Sequence, residues 1–110
     1  MIYDRYVAAW QNLDVEDYLA CCHEDYEMTF HSTGKVLLLV DFDTDQLASW
    51  MVSSKSESKR LTYENDDILA EHKITLHKEG NRTATLMVHL KKDGLLWRTE
   101  TGVTPLPPKK

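Results

Sequence analysis

The order of residue patterns predicts an α+β fold: three N-terminal helices packed on one side of a strongly curved, mainly antiparallel β-sheet. Three observations carry it. Apolar residues recur at helical spacing through most of the first half, interrupted by one alternating stretch. From Arg60 onward the pattern changes to period two, the mark of strands with one buried face. Between the later alternating runs stand "KEGN" at 78–81 and "KDG" at 92–94, which have the composition of hairpin turns.

Tyr3, Tyr6, Val7 and Trp10 share one helical face, so the first helix is expected over residues 3–12. Asp14 has the chemistry of an N-cap for a second helix, whose buried stripe is Val15, Tyr18, Leu19 and Cys22. In "DYEMTFHSTG" (25–34) a strand over 25–31 puts Tyr26, Met28 and Phe30 on one face and Glu27, Thr29 and His31 on the other. Gly34 turns the chain, Val36–Val40 is extended or loop-like, and Asp43 or Thr44 caps a third helix carrying Leu47, Trp50 and Met51. The polar run Ser53–Lys59 reads as a connector. Leu61 and Tyr63 then lead into a bulge or bend at Asn65-Asp66-Asp67, after which Ile68 and Ala70 resume the strand. Residues 83–91 and 95–103 make the last two strands, and "TPLPPKK" is expected to end the sheet because proline donates no hydrogen bond.

The length of 110 residues makes one domain over 1–110 the expectation. A net charge of −5 with scattered Lys and Arg argues against nucleic acid as a partner, since phosphate contacts need clustered cations. Val36–Val40 is too short to span a membrane and no segment reads as a signal peptide, so a cytoplasmic protein without a membrane partner is expected. Cys21 and Cys22 are adjacent, which disfavours a mutual disulfide; they read as small buried hydrophobes on the second helix. No cysteine or histidine spacing suggests a metal site, and the acidic residues around Asp41 and Asp66 suit caps and turns. A curved sheet wrapped over helices leaves a cone open at one end, a natural pocket for a small molecule.

In order and spacing, "RYVAAWQNLD" (5–14), "HSTG" (31–34), "YENDDILAEH" (63–72) and "KKDGLLWRTETGVTP" (91–105) resemble the SnoaL-like branch of the NTF2-like (cystatin-like) superfamily, over Tyr3 to Pro105. The resemblance implies the cone fold and a homodimer. It leaves function open, since the superfamily includes ketosteroid isomerases, polyketide cyclases, epoxide hydrolases, dehydratases and transport and assembly factors. "RYVAA" (5–9) is similar to the first helix of ketosteroid isomerases, and Tyr6 then falls where those enzymes carry an oxyanion-hole tyrosine. Their carboxylate base would fall in "FHSTG" (30–34), at His31 or at Phe30 depending on a one-residue register, and their second acid would fall near Val88. None of these is a carboxylate, so their known mechanism is not expected.

His31 and Tyr6 are therefore the catalytic candidates: an imidazole that exchanges protons near neutral pH, and a phenol that polarises a ligand oxygen. With His31 at the end of its strand, strict alternation turns it away from the apolar face unless a bulge redirects it. Trp10, Phe30, Trp50, Met51, Tyr63 and Trp97 are candidate pocket walls, or plain core. His72 shares a face with Ile74 and Leu76, His89 shares a mixed face with Met87, and Glu100 is expected to pair with Arg98 or Arg60, whereas a His31–Glu100 or His72–Glu100 pair in a cleft would favour catalysis. The resulting expectation is a pocket for a small apolar or aromatic molecule, with cofactor-independent acid–base chemistry of isomerase, cyclase, dehydratase or hydrolase type. The alternative is a non-catalytic module whose sheet face dimerises or binds a partner.

Overall fold

The computed structural model describes residues 2–53, 55–77 and 79–107. Helix α1 (Ile2–Gln11) is followed by α2 (Val15–Ala20), β1 (Cys22–Phe30) and β2 (Val36–Leu38). A short 3-10 turn (Leu39–Asp41) leads to α3 (Thr44–Ser53), and then come β3 (Lys55–Glu64), β4 (Ile68–Leu76), β5 (Arg82–Lys92) and β6 (Leu95–Pro105). The six strands form one sheet in the order β2-β1-β6-β5-β4-β3. Every neighbouring pair is antiparallel except β1 and β6, which run parallel.

Local chemistry explains the boundaries. The Asp14 carboxylate accepts the Asp17 N–H at 3.0 Å and starts α2, while Asp43 accepts from Asp45 and Gln46 and starts α3. The hairpin between β5 and β6 turns on Asp93 and Gly94, at φ 55° and 76°, the left-handed pair that a two-residue turn of the right twist requires. Of the "KEGN" turn between β4 and β5, Lys78 lies outside the described residues; the Gly80 N–H donates to the His77 carbonyl at 2.9 Å.

Four local expectations change. Cys22 opens β1 instead of closing α2, because the Cys21 N–H closes the last helical turn on Tyr18 and the chain then leaves the helix. The polar run after Ser53 is the start of β3; as the sheet's outer edge, it can be polar and still pair with β4. Asn65-Asp66-Asp67 is the turn of the β3–β4 hairpin, with Asn65 Oδ1 accepting from the Asp67 and Ile68 amides. Finally, β6 continues through Pro105, opposite Thr83, where β1 has already ended and the missing N–H has no strand to reach.

The core lies between the helices and one face of the sheet. Tyr6 and Ala9 from α1, Tyr18 from α2 and Leu47 and Met51 from α3 pack on Cys22, Tyr26, Met28, Met87 and Leu96. Cross-strand register places Glu71, Lys73 and Thr75 of β4 on the same inward face as Thr85, Met87 and His89 of β5 and Thr99 and Thr101 of β6. No helix of the described residues is long and apolar enough to cross a membrane.

Candidate functional site

The helices and the inward face of the sheet border an open cleft of about 310 Å³. Tyr6, Trp10 and Tyr18, with Leu47 and Trp50 of α3, form its helical side. On the sheet side, Met28, Phe30 and Met87 give an apolar wall, and Lys73, Thr75, His77, Thr83, Thr85 and Thr101 add polar groups. A second cleft of about 450 Å³ adjoins it, sharing Trp10, Lys73 and Thr75 and adding Met51, Ser56, Ser58 and Lys59.

Beneath the first cleft runs a buried chain of polar side chains. Tyr26 Oη lies 2.8 Å from Thr99 Oγ1, Thr99 Oγ1 lies 2.6 Å from His89 Nδ1, and His89 Nε2 lies 3.1 Å from Glu71 Oε2. Tyr6 Oη reaches the other carboxylate oxygen at 3.4 Å. Glu71 is 3% exposed and His89 and Thr99 are each 1% exposed, so no bulk water satisfies these groups. Every link is satisfied when Tyr26 donates to Thr99 and both His89 Nε2–H and Tyr6 O–H donate to the Glu71 carboxylate, with either atom of the Thr99 Oγ1–His89 Nδ1 contact as the donor. Burial, followed by the charge of Glu71, pushes the Tyr6 phenol well above its usual range and holds it protonated.

The two lysines show the opposite perturbation. Burial pulls Lys73 below the usual lysine value, with Glu71 opposing, and pulls Lys59 down with the help of the Lys73 charge. Among the cysteines, Cys22 is pushed up to about 12, chiefly by burial, and its S–H donates to the Tyr18 carbonyl, which makes it inert packing.

Of the sequence candidates, Tyr6, Trp10, Phe30 and Trp50 line the first cleft, and Met51 and Trp10 line the second. Tyr63 is 56% exposed at the sheet's edge and lines neither. Trp97 is held between the Lys92 and Arg98 side chains and also lines neither. Phe30 points to the cleft, whereas His31 stands on the sheet's outer face over Gly102, its Nε2 3.4 Å from Glu100. Glu100 thus meets His31 rather than an arginine, because Arg98 pairs with Glu27 at 2.8 Å. His89 lies inside, and His72 is half-buried on the outer face.

Glu71, Lys59 and Lys73 are the groups the sequence reading did not single out. Their signal was present as parity: Glu71, Lys73, Thr75 and His77 alternate as one polar set, opposite Ile74 and Leu76. A polar set normally faces water, so its inward placement follows only from the register. Among the described residues, the one grouping of metal-ligating side chains is the consecutive His23, Glu24 and Asp25, two of them exposed.

No family model and no curated protein matches the chain. Solved structures do. A Kribbella flavida protein provisionally named a ketosteroid isomerase aligns with TM-score 0.68 at 13% identity, over 99% of this chain and 81% of that one. An NTF2-like protein of unknown function from Burkholderia xenovorans aligns with TM-score 0.67 at 12% identity, over 97% and 81%. A Catenulispora acidiphila protein with a ketosteroid isomerase-like fold, solved in complex with trimethylamine, gives TM-score 0.60 at 12% identity, over 91% and 82%. At these identities the likeness is one of architecture. The chain has the NTF2-like, ketosteroid isomerase-like α+β fold.

Proposed function

We propose that this domain binds a small, largely apolar or aromatic molecule in the cleft beneath the helices and moves a proton on it without a cofactor. The observation that supports this is the placement of Tyr6: it lines the cleft and is also the last member of the buried chain that ends on Glu71. A ligand proton that reaches the Tyr6 oxygen is taken up there as the phenolic proton passes to Glu71. Tyr6 is neutral before and after, in keeping with a buried phenol that resists ionisation. His89 keeps its Nε2–H on the carboxylate throughout and holds it in place. Return of the proton to another atom of the ligand completes an isomerisation. Return to a departing hydroxyl completes a dehydration.

The test begins with a thermal-shift screen of aromatic, steroid-like and polyketide-like compounds, since a bound ligand raises the melting temperature by mass action. For a compound that is turned over, Tyr6→Phe is expected to lower the rate at least about 100-fold while keeping the thermal shift. His31→Ala is expected to change neither. A Tyr6→Phe protein with unchanged turnover removes the proton-transfer reading, and a screen in which no compound raises the melting temperature removes the pocket.

A second reading concerns the opposite face, and it is compatible with the first. Ile74, Ala84 and Val88, with Leu86 and Leu90 at 53% and 43% exposure, present an apolar surface on the side of the sheet away from the helices. A second copy of the chain packed sheet to sheet would cover it, giving a homodimer.

A further inference from the structure

We infer that the seam between the two clefts is a carboxylate site, so that the ligand is an apolar or aromatic acid bound as its anion. The inference rests on the pocket reading above and adds the charge of the molecule and the end by which it is held.

Lys59 of β3 and Lys73 of β4 are direct cross-strand partners on the inward face. Their ammonium nitrogens lie 5.9 and 5.5 Å from the centre of the Trp10 ring. Like charges set opposite each other across two strands oppose folding, and an indole face offsets only part of that. Neither ammonium has a hydrogen-bond or ion-pair partner among the described residues. The nearby carboxylates are engaged elsewhere: Glu71 by Tyr6 and His89, and Glu57 by Arg82 Nε at 2.6 Å. The same tryptophan carries a buried Nε1–H without an acceptor. Trp97, which lines neither cleft, has the same orphan Nε1–H, so it is the two ammoniums and not the indole that call for a ligand.

Two cations therefore gather over the Trp10 ring where the clefts share Trp10, Lys73 and Thr75. A carboxylate supplies what they lack: a negative charge and two acceptor oxygens. Its carbon body then extends into the first cleft, against Met28, Leu47 and Trp50. No arginine lines either cleft among the described residues, and the first is mainly apolar beyond this seam, which favours a singly charged acid on an apolar body over a phosphate. Burial lowers the proton affinity of both lysines in spite of Glu71, so a further counter-charge would favour their charged forms.

The experiment compares 2-naphthoate with 2-naphthamide by titration calorimetry at neutral pH, because the two share a ring system and differ in charge. The wild-type protein is expected to bind the acid at least 10-fold more tightly than the amide. Lys73→Met should abolish that preference, Lys59→Met should reduce it, and Lys73→Arg should retain most of it. Equal affinity for acid and amide in the wild type overturns the carboxylate site and leaves the pocket standing. Binding of neither compound overturns the carboxylate site, and the pocket falls with it only where the wider screen also raises no melting temperature. Inorganic phosphate that stabilises the protein as strongly as naphthoate overturns the assignment of an apolar acid. The wild-type comparison decides the matter even where a variant fails to fold.

Discussion

The two faces of the sheet follow opposite rules. On β4 and β5 the inward face carries Glu71, Lys73, Thr75, Thr85, His89 and Lys91 beside the buried Leu69 and Met87. The outward face of β4 and β5, with no helix on it, carries Ile74, Leu76, Ala84, Leu86, Val88 and Leu90 with one histidine, His72, while β6 adds Arg98 and Glu100 beside it. A sheet with one wet side usually shows the reverse. This part of the interior is built around specific polar contacts. Lys91 illustrates the demand: buried beside β3, its ammonium is held by Glu64 at 2.6 Å and by the Asn65 carbonyl at 2.7 Å. Each inward charged group needs such a partner, and Lys59 and Lys73 have no hydrogen-bond or ion-pair partner among the described residues.

Breaking the inward chain at its centre should cost the most. Glu71→Ala leaves His89 Nε2–H and Tyr6 O–H without their acceptor in a site closed to bulk water. Removing one partner of a buried charged group costs about 3 kcal/mol or more, read as a lowered urea midpoint. A loss below about 1 kcal/mol would mean that water replaces the carboxylate, and the contrast between a dry polar interior and an apolar exterior would be lost.

The outward face makes the complementary prediction. Leu86→Glu combined with Leu90→Glu adds two like charges to the apolar surface and touches nothing inside the cone. Light scattering should show a dimer for the wild type and a monomer for the variant, with the dissociation constant raised at least about 100-fold, since desolvating unpaired charges at an interface is costly. A wild-type protein that is monomeric at high concentration would sink the sheet-to-sheet dimer.

Much of the fold was legible in the sequence, and the reasons are local. Asp14 and Asp43 announce helix starts because their side chains satisfy amides a few residues on, and "KDG" announces a hairpin because Asp93 and Gly94 tolerate positive φ. The alternation in "DYEMTFHSTG" placed Phe30 and His31 on opposite faces, and it took the structure to show that Phe30 faces the cleft. The parallel pairing of β1 with β6 left no local trace, because its partners lie some seventy residues apart, as Met28 and Thr99 do. The same limit hid the site. Glu71, His89 and Thr99 belong to three strands, and only cross-strand register brings them into one chain of hydrogen bonds. Where polar and apolar sets alternate, parity gives two faces but does not say which is inside; on β4 the set holding Glu71, Lys73 and Thr75 is the inward one.

The smallest predicted effect is also the one that separates a site from a structural accident. In the ligand-free protein, Lys59→Met removes a like-charge partner from Lys73 and keeps an apolar stem against Trp10. A stabilisation of about 0.5 kcal/mol is expected, within the range for cross-strand charge pairs. Its pH dependence has a definite sign. The groups near Lys59 are Lys73 and Glu71 of β4 and Glu57 of its own strand, and burial with the Lys73 charge outweighs Glu71 in drawing the Lys59 value down. A cation whose folded value lies below its unfolded one opposes folding fully when both states are protonated, and the opposition fades as pH rises from the lowered value to the ordinary lysine value. The gain from Lys59→Met should thus be complete at neutral pH and should shrink on the alkaline side. With saturating naphthoate the order should reverse, because the wild type then has the anion its two lysines lack and the variant has only one lysine to meet it. A residue that weakens the empty fold and strengthens the occupied one is there for the ligand, whereas a variant that is more stable under both conditions would return the lysine pair to the status of tolerated strain.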